Sequence, residues 1–279
     1  MKKKRELIIV ALIVLLIVLM LGQCSWGAKS QYSKEQWKLL EKIANQFRKI
    51  KAIVGVPNFF CINFSNEIIG KIERLFGNSD VTIYFNVDIF QNPSETLTKK
   101  AGESEDLAIL FVSIAENLGF KARVVGGKVL FPFAKEPQRR YWAEIYDQGK
   151  WKGIDPSLII LEKNFLIEDV LDDEKYKILE IFSIFNTQSS TGMKPPDIAR
   201  LEIEEGKEAL KKDLVNSFKE INKRQPKEEE IKEMEEIIEH VINQVLLVLQ
   251  EKIPSDPTTL IRPQNPDVIA FIEKIKKKM

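Results

Sequence analysis

One histidine in 279 residues is the scarcest chemistry in this chain, and two cysteines come next. A single imidazole cannot build a multi-histidine metal site, and two thiols cannot make a disulfide framework. Charge of one sign is also missing: 42 Lys+Arg against 41 Asp+Glu leave a net charge of +1, which argues against nucleic acid as a partner. There is no Gly-rich phosphate loop, no metal-ligand spacing and no Asp-x-Asp-x-Asp-Gly calcium loop, so the sequence points to no cofactor and no metal. What is present is 44% hydrophobic and 30% charged residues, enough to bury a core beneath a heavily charged surface. Catalysis that needs an imidazole must use His240 or do without it. His240 falls mid-helix beside Glu236, Glu239 and Gln244, a setting expected to be solvated or partly buried.

Lys2, Lys3, Lys4 and Arg5 precede an unbroken apolar run from Leu7 to Leu21. At ~1.5 Å per helical residue the run spans roughly 22 Å, and Gly22 to Trp26 bring it near the thickness of a bilayer core. No helical period leaves it a polar face, which excludes a buried core helix. An uncleaved single-span anchor and a cleaved secretory signal both fit. The anchor is favoured because the run is so apolar and leads into Trp26, an interfacial residue type. The cationic flank stays in the cytoplasm, so the body from about residue 30 is expected outside the cell, anchored or else secreted after cleavage. Gln23 before Cys24 argues against a lipoprotein signal, and Cys61, in Asn58-Phe59-Phe60-Cys61-Ile62, reads as a small buried hydrophobe.

Three regions follow: a membrane segment at 1–28, an α+β domain at 29–165 and a helical domain at 166–279. Trp37, Leu40, Ile43, Phe47, Ile50 and Ile53 recur at three- and four-residue spacing and predict an amphipathic helix over 34–54. A second helix is expected from Asn66 to Phe76, stopped by Gly77-Asn78, then a strand over 81–87. Asn92-Pro93 turns into a short helix through Leu97. A helix opening near Gly102-Glu103-Ser104 turns Leu107, Leu110, Phe111, Ile114 and Leu118 to one face and closes at Gly119. Strand patterns cover 121–133, 142–146 and 151–154, the last two joined by the hairpin signal Asp147-Gln148-Gly149-Lys150. Beyond Leu161 long helices are expected: from Pro195 to about Ile221, from Gln225-Pro226 to Ile253, and a last one from Asn265-Pro266-Asp267. In the second of these, Ile231, Met234, Ile238, Val241, Val245 and Val248 make a coiled-coil-like stripe.

Four segments, in register, resemble the transglutaminase-like (papain-like) core. The family pattern is Gly-x-Cys-x-Asp at a helix start, Leu-Gly-x-x-Ala-Arg, a His-Ala-Trp-x-Glu strand and a Trp-x-x-x-Asp-Pro strand end. Here they stand as Gly102-Glu103-Ser104-Glu105-Asp106, Leu118-Gly119-Phe120-Lys121-Ala122-Arg123, Arg140-Tyr141-Trp142-Ala143-Glu144 and Trp151-Lys152-Gly153-Ile154-Asp155-Pro156. The resemblance implies an α+β core, a helix packed on a small antiparallel sheet. It also implies a triad in which a Cys nucleophile, a His base and an Asp that orients the His meet.

Against that pattern Ser104 replaces the Cys, Arg140 replaces the His and Asp155 keeps the Asp. A Ser hydroxyl needs a base within about 3 Å, and a guanidinium has no lone pair to offer. Ser104 is expected to cap its helix, Arg140 to pair with Asp155, and Trp142 and Trp151 to pack a core or cleft wall. The favoured reading is a membrane-anchored, extracytoplasmic domain without catalysis. It binds a peptide or protein partner in the former cleft, with Arg140 and Trp142 as ligand contacts and Arg140 favouring a carboxylate. Two alternatives stand beside it: a hydrolase or acyltransferase with Ser104 as nucleophile, and an envelope scaffold acting through the carboxy-terminal helices.

Overall fold

Ser33 opens the first helix, α1 (Lys34–Ala44), with a reciprocal cap: its hydroxyl accepts the Gln36 N–H while the Gln36 amide oxygen accepts the Ser33 N–H. The helix expected over 34–54 is shorter. At Asn45 it tightens into a 3-10 segment, Asn45–Lys49, which still turns Phe47 and Ile50 into the core. The chain then enters β1 (Lys51–Ala52). The computed structural model describes residues 30–52, 64–77, 90–132, 134–161, 177–261 and 264–278. The apolar run Leu7–Leu21, Cys61 and the strand expected over 81–87 lie outside them. No helix among the described residues is long and apolar enough to cross a membrane.

Helix α2 (Asn66–Phe76) begins where Ser65 accepts the Ile68 N–H and ends at Gly77, whose φ of 68° suits glycine. Helix α3 (Pro93–Lys99) is capped by Asn92 and Glu95 and runs two residues past its expected end at Leu97. β2 (Ala101–Gly102) pairs in parallel with β1 and leads into α4 (Ser104–Asn117). The one-sided apolar face expected of α4 proves to be apolar nearly all round, from Leu107 through Ala115. A helix of that kind has to be enclosed. Sheet residues cover one side, and α3, α5 (Pro156–Leu161) and α8 (Pro266–Lys276) cover others.

The sheet contains β3 (Ala122–Leu130), β4 (Gln138–Asp147), β5 (Lys150–Ile154), β6 (Lys177–Phe185) and β7 (Ser190–Gly192), in spatial order β5-β4-β3-β6-β7 and antiparallel throughout. Gln148 and Gly149, at φ 55° and 79°, form the two-residue turn between β4 and β5 that their sequence announces. The expectation of three strands, with only helices beyond Leu161, is corrected by β6 and β7. The sheet therefore draws on both sides of the boundary expected at 165/166. Ala122, Val124, Tyr141, Ala143 and Ile145 face α4, whereas Val125, Val129 and Trp142 pack with Phe131 on the opposite face.

The long helices α6 (Pro195–Asn222) and α7 (Glu228–Lys252) follow. Met234, Ile238, Val241 and Val245 of the α7 stripe are buried against Leu210, Leu214 and Phe218 of α6 and Leu75 and Phe76 of α2. Asn265, accepting the N–H groups of Asp267 and Val268, then starts α8, whose Val268, Ile272 and Ile275 return to the first core.

Candidate functional site

The site assembles where the start of α4 meets the start of β4 and the end of β5. Gly102 is required just before α4, because a Cβ there would lie 2.8 Å from the Cβ of Asp106. Asp106 is 1% exposed, and its carboxylate accepts the backbone N–H of Glu103 (3.0 Å), the N–H of Gln91 (2.7 Å) and the side-chain amide of Gln91 (2.7 Å). This corrects the expectation that Ser104 caps the helix. Glu103 occupies the capping position, Asp106 reaches back to it, and Ser104 is the first helical residue. Its hydroxyl is thereby released toward the sheet, where it accepts the Tyr141 N–H at 3.3 Å and donates to the Glu105 carboxylate at 3.2 Å.

Strand alternation then sorts β4. Tyr141 turns to the α4 side, edge-on to Phe90 (5.4 Å, 82°) and Phe182 (5.8 Å, 81°), so Arg140 and Trp142 turn to the other side. Arg140 Nε donates to Asp155 Oδ2 at 3.0 Å, and its Nη2 donates to the Ser157 hydroxyl. Asp155 is fully buried, and its Oδ1 also accepts the Ser157 N–H at 2.9 Å and the Ser157 hydroxyl. The local reason is the sequence Asp155-Pro156-Ser157 at the start of α5: an acidic cap, then a proline at the first helical position. Arg140 keeps only 17% of its side chain in water and lies 5.7 Å from the Phe131 ring centre.

The structure thus brings Arg140 and Asp155 into direct contact and sets Ser104 against the backbone next to Arg140. Trp142 is fully buried, its indole N–H on Glu144 Oε1 at 3.2 Å, so the indole offers no open surface to a ligand. Glu144 is held in turn by Arg123, whose Nε donates at 2.7 Å and whose guanidinium lies 3.9 Å from the Trp151 ring centre. His240 sits on α7, partly buried and stacked with ring centres 5.9 Å apart on Phe64, which packs against the other core cluster. Two site residues escaped the sequence reading. Ser157 carried a signal, the acidic cap and proline before it. Glu105 had none, because its approach to Ser104 Oγ depends on where the helix begins.

Chemically, the cluster holds a hydroxyl, a carboxylate beside it and an ion pair. A guanidinium cannot take the serine proton, and the group that accepts the Ser104 hydroxyl is the Glu105 carboxylate, where the family pattern has an imidazole. Arg140, Asp155 and Ser157 bind one another as a closed unit of charge-assisted bonds.

The profile of the transglutaminase-like superfamily matches residues 73–156, from the last turn of α2 to the residue after Asp155. The chain therefore carries a transglutaminase-like domain over this stretch, and Ser104, Arg140 and Asp155 fall inside it. No curated protein and no solved structure matches the chain.

Proposed function

We propose that this transglutaminase-like domain is catalytically silent, held outside the cell by the Leu7–Leu21 segment, and serves to bind a peptide or protein partner. The observation that carries the silent reading is the 3.0 Å contact from Arg140 Nε to the buried Asp155 carboxylate. Where the family orients a proton acceptor, this chain has a permanent cation already committed to the orienting carboxylate. The same bond narrows the binding reading. With Nε and one Nη2 hydrogen engaged, the Nε edge of Arg140 is taken, and a ligand carboxylate is left the end-on edge, where the second Nη2 hydrogen and Nη1 can still form a fork.

The test is covalent labelling of the full chain with a serine-directed fluorophosphonate and an activated ester, beside Ser104→Ala. Equal, background-level labelling of both forms is expected. Labelling of the natural chain that vanishes in Ser104→Ala overturns the silent reading and favours the hydrolase alternative, with Glu105 as the base at hand.

A further inference from the structure

The first described residues are fastened to one end of the sheet. Ser30 Oγ donates to Asp147 Oδ1 at 2.8 Å, the Gln31 amide donates to the Tyr146 carbonyl at 3.0 Å, and the Tyr32 hydroxyl accepts the Lys121 N–H at 2.8 Å. That end is the β4–β5 hairpin together with the start of β3. Only residues 22–29 separate Ser30 from the apolar run Leu7–Leu21. At ~3.3–3.6 Å per extended residue, eight residues reach about 29 Å at most, and less if they are not fully extended.

The chemistry of the same end fits a lipid surface. Tyr146 and Trp151 are half-buried cross-strand partners with ring centres 5.2 Å apart. Lys121 Nζ lies 4.7 Å from the Tyr146 ring centre and 5.7 Å from that of Trp151. The two carboxylates of the region are used up internally, Asp147 by Lys152 at 3.0 Å and Glu144 by Arg123 at 2.7 Å. Lys121 and Lys150, both exposed, have no carboxylate partner among the described residues. Amphipathic rings beside uncompensated lysines are what bilayer interfaces and anionic headgroups accept.

We propose that the β4–β5 hairpin end docks on the anionic headgroup layer of the membrane, with Trp151 and Tyr146 at the interface and Lys121 and Lys150 on lipid phosphates. This rests on the anchoring reading of Leu7–Leu21. It has a geometric consequence. Arg140 stands seven residues back along β4 from Asp147, roughly 23 Å at ~3.3 Å per residue, and Asp155 four residues on from Trp151, roughly 13 Å, so the Ser104–Arg140–Asp155 site stands off the docked end by that range.

The full chain reconstituted in liposomes, with phosphatidylcholine brominated near the headgroup as quencher, tests it. The bilayers are either neutral or contain anionic phosphatidylglycerol. In anionic bilayers Trp151→Phe is expected to lose part of the quenched emission. Lys121→Glu/Lys150→Glu loses the same part and Lys121→Arg/Lys150→Arg keeps it, all three forms resisting alkaline carbonate extraction. Carbonate resistance with quenching that is indifferent to Trp151 and to both lysine pairs overturns the docking and leaves the anchor standing. Extraction by carbonate overturns the anchor and the docking with it.

Discussion

Taking away the Arg140 guanidinium while leaving Asp155 in place strands a fully buried carboxylate with only Ser157 for company. Breaking a buried pair from one side costs about 3–5 kcal/mol, because the remaining charge has no water to turn to. Arg140→Met is therefore expected to lower the urea midpoint sharply, whereas Arg140→Met/Asp155→Asn recovers much of the loss. Arg140→Lys falls between them, since one ammonium cannot reproduce a fork that meets Asp155 and Ser157 together. If the double variant is no more stable than Arg140→Met, the pair is not what holds this corner. The pairing was legible through the resemblance, because a cation stands where the family pattern has its His while the Asp beside it is kept. The state of Ser104 was not. Three acidic side chains flank it, and which of them turns back to the helix start depends on Gln91, eleven residues upstream of Gly102 and across α3.

The joint between α1 and the β4–β5 hairpin is an element-scale device with a pH dependence. Burial pushes the Asp147 carboxyl up, but the Ser30 hydroxyl, the Lys152 ammonium and the Gln31 N–H outweigh it and hold the carboxyl below its ordinary value. A carboxyl depressed in the folded state stabilises that state fully above its unfolded pKa, near ~3.9, and loses the contribution as pH falls through the folded value. The protection of amides 30–34 from hydrogen exchange, taken relative to the intrinsic rate at each pH, is expected to fall on acidification in that range. In Lys152→Met, where the depression shrinks, the fall starts at higher pH; an unchanged profile would show that Lys152 has no part in it. Strand joints are tighter still. A Cβ on Gly127 would run into the Glu180 carbonyl oxygen of β6 and come within 2.7 Å of Trp142, beside a register shift between β3 and β6. Gly127→Ala forces the two strands apart and is expected to cost about 1–3 kcal/mol by urea unfolding, the range for overpacking, with the β3–β6 amides losing protection. Unaltered protection there would mean that Trp142 yields instead. Elements closed by local chemistry (Asn66 to Gly77, Asn92-Pro93, Gln148-Gly149) could be read from the sequence. β6 could not, because Ile178, Leu179 and Ile181 in its first half stay exposed on both faces, and the buried alternation is confined to Ser183 and Phe185 at its end, too short a stretch to see.

Across the whole molecule the sequence suggests a cut near residue 165, and the packing crosses it twice. The first core includes Val268, Ile272 and Ile275 from the last helix, packed with α4, while the second takes Ile68, Leu75 and Phe76 from α2. The sheet crosses as well, since β3 is hydrogen-bonded to β4 on one side and to β6 on the other. The three-four repeat of α7 was correctly legible as an apolar stripe, but periodicity carries no address. It could not say that the partners were α6 and α2 of the same chain. A stripe covered from within leaves little to pair between copies, which weighs against the scaffold alternative. The consequence is that residues 29–165 should not fold alone. That fragment leaves one edge of β3 open and uncovers α4 along the side where α8 lies. It is expected to show no cooperative urea transition, while the full chain in detergent gives one transition, coincident by fluorescence and far-UV circular dichroism. A milder test reaches the same joint from the other end: Ile272→Ala, more than a hundred residues beyond the fragment boundary, should lower stability by about 2–5 kcal/mol and shift the α4 signals with it. A cooperative transition in the fragment, or an Ile272→Ala loss confined to α8, would mean that the two halves merely touch.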